Sequence, residues 1–182
     1  MDRSPLILIA GLPGAGKTTV ARRVAEAFDP SLHLQVDGIR SMMVRGSIAP
    51  DQADGWSDAL ARQFLRESRA ASALAACYRE DGVAVVVDDV AIPPMLDRCY
   101  VDIPSMHKVL LLPSLEVLLQ RLKHRGDIYD ALFTEQVPML HAMLASLDKP
   151  GWTVLDTSEQ SADETVSAVM QSLPSRGSTQ SS

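Results

Sequence analysis

Cysteine is nearly missing from these 182 residues: Cys77 and Cys99 are the two present, and they show neither metal-ligand spacing nor a secreted disulfide framework. A reducing, cytoplasmic setting is therefore expected. A basic surplus is lacking as well. The 17 Lys and Arg are outnumbered by 23 Asp and Glu, and the net charge of −6 with a pI near 5.1 excludes broad binding to nucleic acid or a membrane surface. Only a narrow local basic channel stays compatible with that balance. No apolar run approaches membrane-spanning length, and Met1-Asp-Arg-Ser-Pro5 leads straight into an apolar strand, leaving no room for a secretory leader. No internal repeat is visible. The length suits one domain with a substantial core, expected over residues 1–173, with 174–182 a polar tail of low apolar content.

What is present begins at Leu6. Leu6 to Thr19 reads Leu-Ile-Leu-Ile-Ala-Gly-Leu-Pro-Gly-Ala-Gly-Lys-Thr-Thr, which meets G-x-x-x-x-G-K-[ST] at Gly11, Gly16, Lys17 and Thr18. An apolar strand precedes it, and a helical pattern carrying Val20, Val24 and Phe28 follows, the setting this loop requires. Glycines let the loop fold so that successive N–H groups converge on an anion at the positive end of the helix. Pro13, Gly14, Ala15 and Thr19 complete the expected nucleotide-binding loop. Lys17 supplies a point charge to the β- and γ-phosphates, and the Thr18 hydroxyl is placed to ligate the Mg²⁺ that bridges them. A simple Gly-rich turn needs neither the lysine nor the threonine. The expected cofactors are ATP and Mg²⁺, with Lys17 on the surface of the loop.

The rest of the chain alternates strands with helices. Leu32 to Val36 is a short strand that delivers Asp37 at its carboxyl end, the end that lines the ligand crevice of an open parallel sheet. Ile39, Arg40, Met42 and Met43 follow on a short helix, and a polar, Gly-bearing stretch from Arg45 to Trp56 reads as an acceptor-binding flap or a plain connection. Ser57 to Glu80 is a long helix with Leu60, Phe64, Ala71, Leu74 and Tyr78 along one side. Val83 to Val87 is a buried central strand ending in Asp88-Asp89. His107 to Leu112 is another, and the helix after it carries Leu115, Leu118, Leu119 and Leu122, with Arg121 and Arg125 four apart on one face near its end. The helix dipole alone would also favour cations there. Thr134 to Leu147 predicts a further helix, Thr153 to Leu155 the last strand, and Ser161 with Glu164 a capping box. His33, His107, His124 and His141 have no partner pattern and read as structural or surface residues.

Gly-Leu-Pro-Gly-Ala-Gly-Lys-Thr-Thr followed by Val-Asp-Gly-Ile-Arg resembles the small P-loop kinases that include polynucleotide kinases and zeta toxins. Val36-Asp37, Val85-Val-Val-Asp-Asp-Val90 and Arg121-x-x-x-Arg125-Gly126-Asp127 resemble chloramphenicol phosphotransferase more closely. That resemblance implies a three-layer α/β/α P-loop NTPase fold with a five-stranded parallel sheet in the order 2-3-1-4-5. It implies Asp37 as the base that receives the acceptor proton, Asp88 as the carboxylate near Mg²⁺, and Arg121 and Arg125 as parts of a lid over ATP. Arg40, Met43 and Asp89, together with Asp37, are the expected acceptor-side residues. The function expected is transfer of the γ-phosphate to a hydroxyl of a small molecule that is antibiotic-, nucleoside- or sugar-like. A polynucleotide 5′-hydroxyl kinase is the alternative of the same chemistry, and a nucleotide-binding ATPase or regulator without an acceptor is the alternative of another class.

Overall fold

The computed structural model describes residues 4–48, 57–90, 105–125 and 136–174. Among them five strands form one parallel sheet in the order β2-β3-β1-β4-β5, as the resemblance implied. The strands are β1 (Leu6–Gly11), β2 (Ser31–Gln35), β3 (Ala84–Val90), β4 (His107–Leu111) and β5 (Trp152–Leu155). The helices are α1 (Lys17–Ala25), α2 (Val36–Ser41), α3 (Asp58–Glu80), α4 (Leu115–Arg125), α5 (Val137–Ser146) and α6 (Ala162–Ser172). β1 and β3 are buried along nearly their whole length because each is paired on both edges and covered on both faces.

The order decides the layers. The β1-α1-β2 crossover moves one way along the sheet, while β2-α3-β3 and β4-α4-α5-β5 move the other way. Right-handed connections therefore place α1 opposite α3, α4 and α5. The contact of α1 with α6, which includes an Arg23–Asp163 ion pair, and the contact of α4 with α5 agree with that division.

Two hydrophobic clusters result. The main one fills both faces of the sheet, with Ile7, Leu8, Ile9, Val24, Val85, Val86, Leu110 and Leu118 fully buried. A satellite gathers Leu60 and Phe64 of α3 with Ile48, Ala61, Leu65 and Val90.

Several boundaries differ from the sequence reading. Val36 opens α2 instead of closing β2, since the chain turns helical directly after the extended Gln35. β3 runs on through Asp88 and Asp89 because the neighbouring strands keep pairing there, Ile9 and Gln35 with Asp88 and Ala10 with Asp89. Phe28 lies beyond the end of α1, although it still packs on the core. On α3, Leu74 and Tyr78 are exposed, and the buried stripe is Leu60, Gln63, Phe64, Glu67, Ser68, Ala71 and Ala75. Ser57 caps α3, its Oγ accepting from the Leu60 N–H, and the Ser161–Glu164 capping box is complete. The flap beyond residue 48, Pro93-Pro94, Cys99, Asp127, the first residues of the Thr134 helix and the tail after residue 174 lie outside the described residues.

Candidate active site

The loop after β1 is shaped by close approach. A Cβ on Gly11 would stand 2.9 Å from both the Ala15 Cβ and the Leu111 carbonyl oxygen, so no side chain fits. Gly14 combines a φ of 83° with Leu118 O and Leu122 Cγ only 3.2 Å from where its Cβ would be, which seats the loop directly on α4. The Ala15 N–H closes on the Leu12 carbonyl at 3.1 Å, and Gly16 begins α1 in a left-handed conformation. The first N–H groups of α1 have no partner within the helix and present its positive end.

Lys17 differs from expectation. It is 8% exposed, with Nζ donating to the Leu12 carbonyl at 3.2 Å, so its aliphatic stem packs inside the loop and its charge lies across it. Among the described residues no carboxylate stands within ion-pair distance of it. Thr18 and Thr19 are exposed beside it.

Side-chain alternation separates the two β3 carboxylates. Asp89 Oδ2 accepts from Ser68 Oγ of α3 at 3.1 Å and Asp89 Oδ1 from the Val90 N–H, so Asp89 faces the α3 layer. Asp88 therefore faces the α1 layer, the side on which Lys17 and Thr18 begin their helix. His33 Nε2 lies 3.7 Å from Asp88 Oδ2, a contact that no spacing along the chain signals.

Asp37 stands in the first turn of α2, largely exposed, with Oδ1 accepting from Arg40 Nη1 at 2.8 Å. Arg40 in turn donates from Nε to Oε2 of Glu67 at 2.8 Å and stacks on Phe64 with Cζ 4.4 Å from the ring centroid. One turn earlier on α3, Gln63 clasps Ile48 through both its backbone groups at 2.8 and 3.2 Å, fixing the chain that leaves α2. Asp37, Arg40 and Asp89 are thus joined through one face of α3, while Met43 stands partly exposed beyond the end of α2.

Sequence reasoning missed Gln63, Glu67 and Ser68. The signal was there for Glu67: positions 60, 64, 67, 71 and 75 follow the helical period, and a carboxylate at a core position of an amphipathic pattern calls for a partner.

Arg121, half-buried on α4, donates from Nη2 to the Thr157 carbonyl at 3.2 Å; Arg125 is exposed one turn on. Ser158 joins the same corner, its Oγ accepting from the Ser114 N–H at 2.8 Å and its hydroxyl bonding Asp156 Oδ1. That hydroxyl bond, with the Ser158 N–H, holds the Asp156 carboxyl below its ordinary range. The start of α4 and the loop after β5 are sewn together where the phosphate loop rests on Leu118 and Leu122. The remaining histidines bond to Ser172 Oγ (His107), the Gln120 carbonyl (His124) and the Pro113 carbonyl (His141). Burial lowers the pKa of His107.

A magnesium ion takes hard oxygen ligands and is commonly held by one or two protein groups plus phosphates and water. The Thr18 hydroxyl and the Asp88 carboxylate, on the same side of the sheet, fit that donor set. Among the described residues no cluster of three or more His, Cys, Asp or Glu forms an all-protein metal cage.

A parallel sheet of order 2-3-1-4-5 with a phosphate loop between its first strand and first helix defines a P-loop NTPase fold. Within that class the chain belongs to the AAA_18 family, whose model, described as an AAA domain, matches residues 7–133. No curated protein sequence matches it. Solved structures superpose over nearly the full length. A sugar kinase from Janibacter sp. HTCC2649 is 19% identical with a TM-score of 0.68, covering 92% of this chain and 93% of that one. A tunicamycin resistance protein from Deinococcus radiodurans is 22% identical at a TM-score of 0.63, with coverages of 93% and 95%. A gluconokinase from Sinorhizobium meliloti 1021 is 20% identical at 0.61, with coverages of 94% and 92%. At these identities the likeness is one of fold. No helix among the described residues is long and apolar enough to cross a membrane.

Proposed function

We propose that residues 1–173 form one kinase domain that moves the γ-phosphate of ATP to a hydroxyl of a small molecule. The observation that carries this reading is Lys17, a buried cation with no carboxylate partner among the described residues, held inside a glycine-shaped loop at a helix N-terminus. A buried ammonium held by one carbonyl is poorly compensated, and phosphate oxygens would complete its coordination. Magnesium, held by Thr18 and Asp88 when bound with the nucleotide, supplies charge neutralisation for the phosphates. Asp37 accepts the proton of the attacking hydroxyl. The acceptor oxygen bonds to the γ-phosphorus as the bond from that phosphorus to the β–γ bridging oxygen breaks, releasing ADP, and Asp37 returns the proton to solvent. The three structural neighbours named above support a small hydroxyl-bearing acceptor, among which the antibiotic class of the chloramphenicol phosphotransferase resemblance remains one candidate. The acidic charge disfavours a polynucleotide acceptor.

Incubation of the protein with Mg·ATP and a library of hydroxyl compounds, antibiotics and oligonucleotides included, should yield one phosphorylated product class. ATP hydrolysis at the same rate with and without every acceptor would point to the ATPase reading instead.

Arg121 and Arg125 are assigned to charge stabilisation over the nucleotide. The double Arg→Ala variant should lower turnover roughly tenfold, the worth of about one charge-assisted hydrogen bond, with a smaller change in nucleotide affinity. Unchanged turnover would return both residues to a helix-dipole role.

A further inference from the structure

The Arg40–Glu67 pair is only half closed. Glu67 is 2% exposed, and an arginine beside a carboxylate ordinarily makes two parallel bonds. Here the Nε–Oε2 bond is made at 2.8 Å, whereas Arg40 Nη2 and Glu67 Oε1 are both buried without a hydrogen-bond partner. A buried donor or acceptor left unsatisfied costs its desolvation without return, more when the group is charged. Phe64 beneath the guanidinium and Asp37 on Nη1 keep Arg40 from turning to close the second bond with its other nitrogens. A donor and an acceptor thus lie buried and unpaired within one ion pair, next to the residue assigned as the base.

Resting on the kinase reading above, we infer that the acceptor is an uncharged polyhydroxylated molecule, one of whose hydroxyls accepts from Arg40 Nη2 and donates to Glu67 Oε1. A hydroxyl is the group that does both at one oxygen; a carboxylate or phosphate cannot donate to Glu67, and an ammonium cannot accept from Arg40. Charge argues the same way. Among the described residues Asp37 and Glu67 share the single guanidinium of Arg40. Two carboxylates outnumber that one cation, so an anionic acceptor would enter a field of its own sign. Glu67 thus binds the acceptor and also orients Arg40 and, through it, Asp37.

The test uses the full chain, Mg·ATP and acceptors in pairs differing by one anionic group, glucose with gluconate and thymidine with thymidylate, within the wider library. The best acceptor should be uncharged, and kcat/KM for the uncharged member of a pair should exceed that of its anionic partner by about tenfold or more. Glu67→Gln, which keeps the shape and removes the charge, should raise the acceptor KM about tenfold with the nucleotide KM unchanged. Arg40→Lys, which keeps the charge but loses the fork, should do the same. Preference for the anionic members, or a Glu67→Gln protein with wild-type acceptor KM, as when a buried water merely bridges the two atoms, would overturn this inference and leave the kinase reading standing. A wild-type chain that binds no Mg·ATP by calorimetry would overturn both.

Discussion

Replacing Lys17 by Ala is expected to reduce phosphoryl transfer by roughly 10² to 10³, the usual effect of deleting one preorganised group from the site where charge develops. The same variant should melt at the wild-type temperature or above it. Among the described residues Lys17 meets one carbonyl and no carboxylate, so its removal deletes a poorly compensated charge and costs only a single hydrogen bond and some stem packing. Activity and stability should therefore move apart. A thermal melt alongside a transfer assay checks this, and full activity in a folded Lys17→Ala protein would sink the nucleotide reading.

Asp37→Asn should keep Mg·ATP binding and lose turnover, because the amide preserves shape but cannot take the hydroxyl proton. General-base assistance is worth on the order of 10² to 10⁴, and a loose phosphoryl transition state favours the lower end. Arg40 keeps its bond to Glu67 and its stacking on Phe64 in that variant, so the acceptor side should stay in place. Asp88→Asn should behave differently, shifting the magnesium dependence. A metal titration at saturating acceptor separates the two, and an Asp37→Asn protein turning over at the wild-type rate, or defective in magnesium affinity alone, would refute the assignment.

The strands and the phosphate loop were legible in the sequence because both rest on local signals: apolar runs of strand length, glycines at fixed spacing, and a lysine and threonine that a plain turn does not need; the strand order came from the family resemblance alone. The burial of Lys17 was not legible, since it depends on how the stem folds back over Leu12. The acceptor side was read only in part. Asp37, Arg40 and Asp89 were reached by their place at strand ends, but their linkage runs through Glu67 and Ser68, distant in sequence and brought close only when α3 packs across β3. Leu74 and Tyr78 show the converse. Both match the helical period as well as Ala75 does, yet both stand exposed while Ala71 and Ala75 meet the core.

The satellite cluster around Leu60 and Phe64 has an evolutionary consequence. Along α3 the main core is met at Ala71 and Ala75, while Gln63, Glu67 and Ser68 hold their partners by individual polar bonds. Substitutions at those three positions would change the polar bonds to Arg40, Ile48 and Asp89 without opening a hole in the main core. On the kinase reading proposed above, descendants of such a chain would exchange one acceptor for another by changing a few side chains on a single helix, with the phosphate loop inherited intact.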